Sequence, residues 1–168
     1  TAPSFTTVLI TDSIMRNLDG ELGTNHKLQI INKRNSSGLL EKQVQDSLKK
    51  INPDYIYVHL GINDIADGIP SNQIMSRFGS FIMFVDENLP HAKIIFSFPL
   101  LTAVPYHNEA ILKLRACISS WIHKLDGNVE VKYKKLLLNV NSNFEKRVQS
   151  TDGVINQMQM DGLFARQD

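Results

Sequence analysis

The stretch Tyr57-Val58-His59-Leu60-Gly61-Ile62-Asn63-Asp64-Ile65 decides how the rest of the chain is interpreted. It begins inside an apolar run over residues 55–60, which has the length of a central strand of a sheet. Gly61 and the polar pair Asn63-Asp64 follow at once, so the predicted strand ends in a loop that carries hydrogen-bonding side chains. The amide of Asn63 can donate to an oxyanion. The same pair could instead close a local turn through Asx hydrogen bonds.

Apolar runs and amphipathic stretches alternate on both sides of this motif. We predict strands within 5–10, 28–32, 55–60, 93–98 and 129–140, and helices over 39–51, 71–89 and 108–125. Strands separated by helices are typical of βαβ units. The predicted fold class is therefore α/β, a three-layer α/β/α sandwich with a mainly parallel five-stranded sheet. Residues 1–168 are interpreted as a single domain, which could be part of a longer chain.

In such sheets, functional loops collect at the carboxyl ends of the strands. Ser13 follows the first strand and is either a helix N-cap or a nucleophile at a strand-to-helix turn. Gly38 follows Asn35-Ser36-Ser37 after the second strand, in a stretch that by itself is typical of an ordinary loop before a helix. His59 lies inside the third strand, so we expect it to pack or hydrogen-bond beneath the site.

Composition limits the other classes of function. The chain carries a net charge of +1, so its overall charge favours neither a nucleic acid nor a membrane surface as a partner. The single cysteine, Cys117, is expected to be a buried thiol, which favours a reducing, cytoplasmic location. We expect no integral membrane segment, since no apolar run reaches about 20 residues. The sequence has neither metal-ligand spacing nor a glycine-rich phosphate loop, so we expect no metal and no cofactor.

Three separated motifs resemble the blocks of the SGNH (GDSL-type) hydrolase superfamily. They are Thr11-Asp12-Ser13-Ile14, Gly61-Ile62-Asn63-Asp64 and Asp161-Gly162-Leu163-Phe164. The chain looks most similar to the esterase-like domain in the first-frame protein of LINE-type retrotransposons. The resemblance implies cleavage of acyl or acetyl esters with Ser13 as nucleophile and Asp161 as the acid that orients the base. It implies Gly38 and Asn63 as oxyanion donors.

Phe164 stands where the last block of the family has its histidine. Phenylalanine can neither take nor return a proton, and loss of one triad member typically costs about 10⁴-fold in rate. The superfamily includes members that lost their catalytic residues, such as the RNA-binding C-terminal domain of the insect germ-plasm protein Oskar. We therefore expect a catalytically impaired domain that binds RNA or protein. The alternative is a serine esterase acting through Ser13, with His107 as a replacement base; the other interpretation of His107 is a solvated loop histidine.

Basic residues concentrate in two segments of the chain, around Lys33-Arg34 and around Lys134-Lys135. Such groups usually belong to solvated faces. If the two segments meet on the folded surface, Lys33, Arg34, Lys134 and Lys135 would form a phosphate-binding patch for RNA despite the neutral total charge.

Overall fold

The computed structural model describes residues 5–12, 26–96 and 105–125 of the chain, and every structural statement below concerns those residues. They form a four-stranded sheet of β1 (Phe5–Thr11), β2 (His26–Asn32), β3 (Tyr55–His59) and β4 (Lys93–Phe96). The strand order is β2-β1-β3-β4, and every neighbouring pair is parallel. The predicted parallel α/β architecture is confirmed. The fifth strand predicted within residues 129–140 lies outside the described residues.

Four helices follow in chain order: α1 (Lys42–Ile51), α2 (Ile62–Ala66), α3 (Ser71–Asn88) and α4 (Pro105–Leu125). The two longer helices agree with the predicted spans, except that α4 begins three residues earlier than expected. A proline is well suited to the first turn of a helix because its missing N–H has no partner to lose there. Among the described helices, none is long and apolar enough to cross a membrane.

The helix predicted over residues 39–51 is two elements in the structure. Ser36–Leu40 form a 3-10 turn, and α1 begins only at Lys42. The residue between them, Glu41, has extended backbone angles (φ −67°, ψ 137°), so the chain changes direction there. The helical spacing of apolar residues was correct, but it ran across a break that periodicity cannot detect.

The core lies on both faces of the sheet. Val8, Leu9 and Ile10 are consecutive residues of β1 and all have no exposed surface. Because successive side chains of a strand point to opposite faces, their complete burial means that both faces are covered. This is the arrangement of a three-layer α/β/α sandwich. Helix α3 contributes to this core an apolar stripe at helical spacing, made of its buried residues Ile74, Phe78, Phe81, Ile82 and Val85.

Candidate active site

The register of the sheet brings the carboxyl ends of three strands to one edge. Thr11, the last residue of β1, is paired with Asn32 of β2 on one side and with His59 of β3 on the other. The segments that leave these strands therefore start next to one another. They include Asp12, the loop before the 3-10 turn and the Gly61-Ile62-Asn63-Asp64 motif, as the sequence predicted.

Gly61 directs the chain from β3 into α2. Its backbone has φ 134° and ψ −26°, a conformation that residues with a side chain rarely adopt. The turn starts α2 at Ile62, so that Asn63 and Asp64 occupy the first turn of that helix. Glycine suits this position because the chain passes from β3 to α2 through only two residues, Leu60 and Gly61, and the second of them has a positive φ.

Asn63 reaches across to the neighbouring loop. Its Nδ2 donates a hydrogen bond to the backbone carbonyl of Arg34 at 2.8 Å. An amide nitrogen carries two hydrogens, so this bond fixes the side chain and leaves the second hydrogen available for a ligand. The bond spans 29 residues of sequence, which excludes the alternative that Asn63 only closes a local turn.

Asp64 is the most buried charged group of this region. Its side chain has no exposed surface, and its carboxylate accepts hydrogen bonds from the Ser36 backbone N–H (3.1 and 3.2 Å) and from the Ser36 hydroxyl (2.5 Å). Arg77 of α3 donates from Nη1 both to this carboxylate and to the Ser36 hydroxyl, each at 3.1 Å. We call Asp64, Ser36 and Arg77 the Asp64 network. It joins α3, the 3-10 turn and the first turn of α2 through charge-assisted hydrogen bonds.

The Asp64 network was missed by sequence reasoning, although one signal for it exists. Arg77 lies three residues after Ile74 and four before Phe81, so it stands at the edge of the apolar stripe of α3 and not at the centre of the polar face. Its side chain is only 17% exposed. A charged residue on the buried side of an amphipathic helix needs a partner in the core, and here that partner is Asp64.

Gly38 lies inside the 3-10 turn and is buried. Its N–H donates to the carbonyl of Asn35 at 3.1 Å, as the turn requires. The oxyanion role predicted for Gly38 stays a prediction, and it would require this single hydrogen to be shared with, or released from, that bond. A close packing contact accounts for the absence of a side chain. A Cβ at this position would lie 2.6 Å from both Cβ and Cγ of Lys33.

Asp12 and His59 form a second polar group at the same edge. Each is only 6% exposed. Burial lowers the pKa of His59 below its usual value of 6.5, and the negative charge of Asp12 opposes that shift in part. The lowered pKa favours the neutral imidazole of His59 at neutral pH. This buried position at the end of β3 agrees with the expectation that His59 packs or hydrogen-bonds beneath the candidate site.

Comparison with known proteins bears on the fold. No family model matches the sequence, and no curated protein matches it. A lipolytic protein of the G-D-S-L family from Desulfitobacterium hafniense has a solved structure that matches with a TM-score of 0.64 at 14% identity, covering 94% of this chain and 97% of that chain. The acetylxylan esterase Axe2 from Geobacillus stearothermophilus matches with a TM-score of 0.64 at 11% identity, covering 96% of this chain and 95% of that chain. This chain has the SGNH-hydrolase fold.

In this SGNH-hydrolase fold the structure brings Gly38 and Asn63 to the same edge as Asp12, the residue before Ser13 in the sequence. Ser13 itself, Asp161 and Phe164 lie outside the described residues, as do Lys134 and Lys135. The described residues do not test the roles predicted for these five residues, which stay predictions. Within the ranges that the structure describes, no group of three or more metal-ligating side chains is found.

The two described members of the predicted RNA patch are both paired with carboxylates. Lys33 Nζ lies 2.6 Å from Glu41 Oε2, and Arg34 contacts Asp67 through two nitrogens at 2.6 and 3.3 Å. The hydrogen bond and the charge of Asp67 raise the pKa of Arg34 above its usual value. Their positive charge is compensated locally, which weakens the case for phosphate binding here.

His107 lies in the first turn of α4, whereas the sequence placed it in the loop after the fourth strand. The reason is the earlier start of the helix at Pro105. His107 is half-buried, and its ring centroid lies 4.2 Å from that of Tyr106. Its role as a replacement base stays a prediction.

Proposed function

We propose that this domain binds short acyl or acetyl esters at an SGNH-type site and hydrolyses them slowly, because Phe164 occupies the position of the general base. The proposed nucleophile is Ser13, the proposed oxyanion donors are Asn63 and Gly38, and Asp161 is the acid that would orient a histidine. The solved structures of similar fold include an acetylxylan esterase, which favours this ester class as the first to test.

The observation that supports this proposal is the Asp64 network together with the bond from Asn63 to Arg34. Both connect the segment after β2, which includes the 3-10 turn, with the first turn of α2, and these two segments carry the two proposed oxyanion donors. A buried ion pair is rarely the most stabilising way to fill a core, since apolar residues of similar volume often do as well. What the ionic network adds is a fixed orientation of the two loops, and a preorganised oxyanion site depends on such an orientation.

Hydrolysis of p-nitrophenyl acetate tests the proposal. The wild type should turn over barely above background, because an unassisted serine hydroxyl is a weak nucleophile at neutral pH. Phe164→His should raise the rate, and Ser13→Ala in the Phe164→His background should return it to background. A fluorophosphonate probe should label the Phe164→His protein at Ser13, which mass spectrometry of the labelled peptide can locate.

Two results would contradict the proposal. Fast wild-type turnover abolished by Ser13→Ala would show that the site is not impaired, and its loss in His107→Ala would then identify His107 as the base. If Phe164→His gives neither turnover nor labelling although the protein is folded, the domain has no functional ester site.

The other interpretation, a domain that has exchanged catalysis for RNA or protein binding, follows from the resemblance to the LINE-type esterase-like domains and to Oskar. The ion pairs of Lys33 and Arg34 disfavour its RNA version. Binding of single-stranded RNA at low salt that weakens on charge reversal at Lys134 and Lys135, but not at Lys33 and Arg34, would support a patch confined to the later segment. No RNA binding at low salt would leave a protein partner as the better form of this interpretation.

A further inference from the structure

We propose that Arg34 and Asp67 are positioning residues, which together hold the side-chain amide of Asn63 in one orientation at the candidate site. The inference rests on the proposed function, because the orientation of this amide matters for reaction only if Asn63 is an oxyanion donor. It goes beyond the residues that the SGNH resemblance implies, since neither Arg34 nor Asp67 is among them. We call Arg34, Asn63 and Asp67 the Arg34 clasp.

Arg34 contacts both ends of α2. Its backbone carbonyl accepts the hydrogen bond from Nδ2 of Asn63, in the first turn of the helix, at 2.8 Å. Its guanidinium donates to the carboxylate of Asp67, the residue directly after the helix, from Nη2 at 2.6 Å and from Nε at 3.3 Å. The backbone N–H of Asp67 donates in turn to the carbonyl of Asn63 at 2.9 Å. The three residues thus form a closed ring of hydrogen bonds, which joins the segment after β2 to α2.

This ring restricts the amide of Asn63. The hydrogen bond from Nδ2 fixes the amide only as well as the Arg34 carbonyl itself is fixed. The contact of Arg34 with Asp67 uses two nitrogens and two oxygens, so it sets both the distance and the direction between Arg34 and the end of α2. Asn63 and Asp67 belong to the same helical turn, so the carbonyl of Arg34 is fixed relative to Asn63 as well. The second hydrogen of Nδ2, which the proposed oxyanion bond uses, then points in one direction.

Stability does not account for the pair of Arg34 and Asp67. The two side chains are 65% and 36% exposed, and exposed ion pairs contribute little to stability. Asp67 also places a negative charge at the C-terminal end of a helix, where a positive charge is the favourable one. What the pair supplies at this place is a fixed geometry between two segments, and these segments carry the proposed oxyanion donors.

NMR of the wild type tests the clasp without any catalysis. The measurement is the rate at which the two side-chain amide hydrogens of Asn63 exchange with water, and their signals are assigned by their loss in Asn63→Asp. The backbone carbonyl that accepts the bond is still present in Asp67→Asn and in Arg34→Gln, so a change in either variant arises from its position. An exposed ion pair changes an equilibrium by about two- to fivefold, and we expect exchange to become faster by that factor in both variants.

Salt and a neighbouring ion pair supply the controls. Raising sodium chloride from about 0.01 M to about 1 M shortens the screening length from about 30 Å to about 3 Å, so exchange should become faster in the wild type but not in Asp67→Asn. Glu41→Gln is the matched control variant. It removes the ion pair with Lys33 in the same segment but no contact of the clasp, so it should leave the exchange of the Asn63 amide unchanged.

The catalytic measurement uses the Phe164→His background. Arg34→Gln and Asp67→Asn should each lower kcat for p-nitrophenyl acetate by about two- to fivefold with KM unchanged, because an oxyanion donor acts in the transition state. Outright loss of such a donor costs about 10²- to 10³-fold in kcat. A loss of that size in Arg34→Gln would show that Arg34 contacts the reacting group, which would overturn its role as a positioning residue.

Three further outcomes separate this inference from the proposed function. Exchange of the Asn63 amide that is unchanged in both variants, or changed equally in Glu41→Gln, would overturn the clasp. Faster exchange together with the parental kcat would overturn the positioning role and leave the proposed function intact. If Phe164→His has no turnover, the proposed function fails, and the NMR measurement alone decides whether the clasp holds Asn63.

Discussion

Replacing Asp64 by asparagine should lower the free energy of unfolding by about 3 kcal/mol. Asp64 has no exposed surface and forms an ion pair with Arg77 at 3.1 Å, and breaking a buried pair from one side typically costs about 3–5 kcal/mol because the other charge stays behind. We place the loss at the lower end of this range for two reasons. Asparagine keeps an acceptor oxygen for Ser36, and Arg77 is 17% exposed and can reach water.

A double-mutant cycle makes this prediction specific to the pair. Arg77→Met alone leaves the Asp64 charge buried without its cation, and the double variant removes both charges. We expect the double variant to lose less stability than the sum of the single variants, with a coupling of about 1–3 kcal/mol. Urea denaturation followed by circular dichroism gives each value from the midpoint, provided that the slope with denaturant is unchanged.

Asp67→Asn is the matched control for this cycle. It removes the carboxylate of the exposed pair with Arg34, whose two partners are 36% and 65% exposed, and the midpoint should hardly move. An Asp64→Asn protein within about 0.5 kcal/mol of the wild type would refute the reasoning, since that is the range of ordinary surface changes. Strictly additive single and double variants would refute it as well.

Two further predictions concern packing and pH. Gly38→Ala should destabilise the protein by about 1–3 kcal/mol, because the new Cβ would meet the stem of Lys33 at 2.6 Å and not a flexible side-chain end. Gly79→Ala in α3 should instead stabilise the protein by about 0.5–1 kcal/mol, because nothing lies within 4 Å of its new Cβ. Equal urea midpoints for the two variants would contradict this contrast. Because the pKa of His59 is lowered in the folded state, the unfolded chain binds more protons below pH 6.5, so stability should fall with decreasing pH by at most about 1.4 kcal/mol per unit. This contribution should be absent in His59→Gln, and wild-type and variant curves of equal slope just below about pH 6.5 would exclude it.

The local patterns of the sequence were sufficient for the described strands and the two long helices, and for the edge of the sheet at which the candidate site lies, but not for the break at Glu41 or for the short helix α2. The apolar runs predicted β1 and β3, and the alternation of strands and helices predicted a parallel sheet, since parallel neighbours need a crossover between them. Once the sheet is parallel, all its strands end on the same side, so Asn63 and the loop of Gly38 must approach one another. These conclusions depend on periodicity and connectivity, which are properties of short segments.

The tertiary structure decided which side chains meet, and here sequence reasoning was incomplete. Ser36 and Arg77 are 41 residues apart, and no short-range pattern encodes that both contact Asp64. The ion pairs of Lys33 and Arg34 likewise depend on where Glu41, directly before α1, and Asp67, directly after α2, lie against the loop after β2. A periodicity shows only which face of an element is buried, whereas the partner of a buried charge is determined when two elements dock.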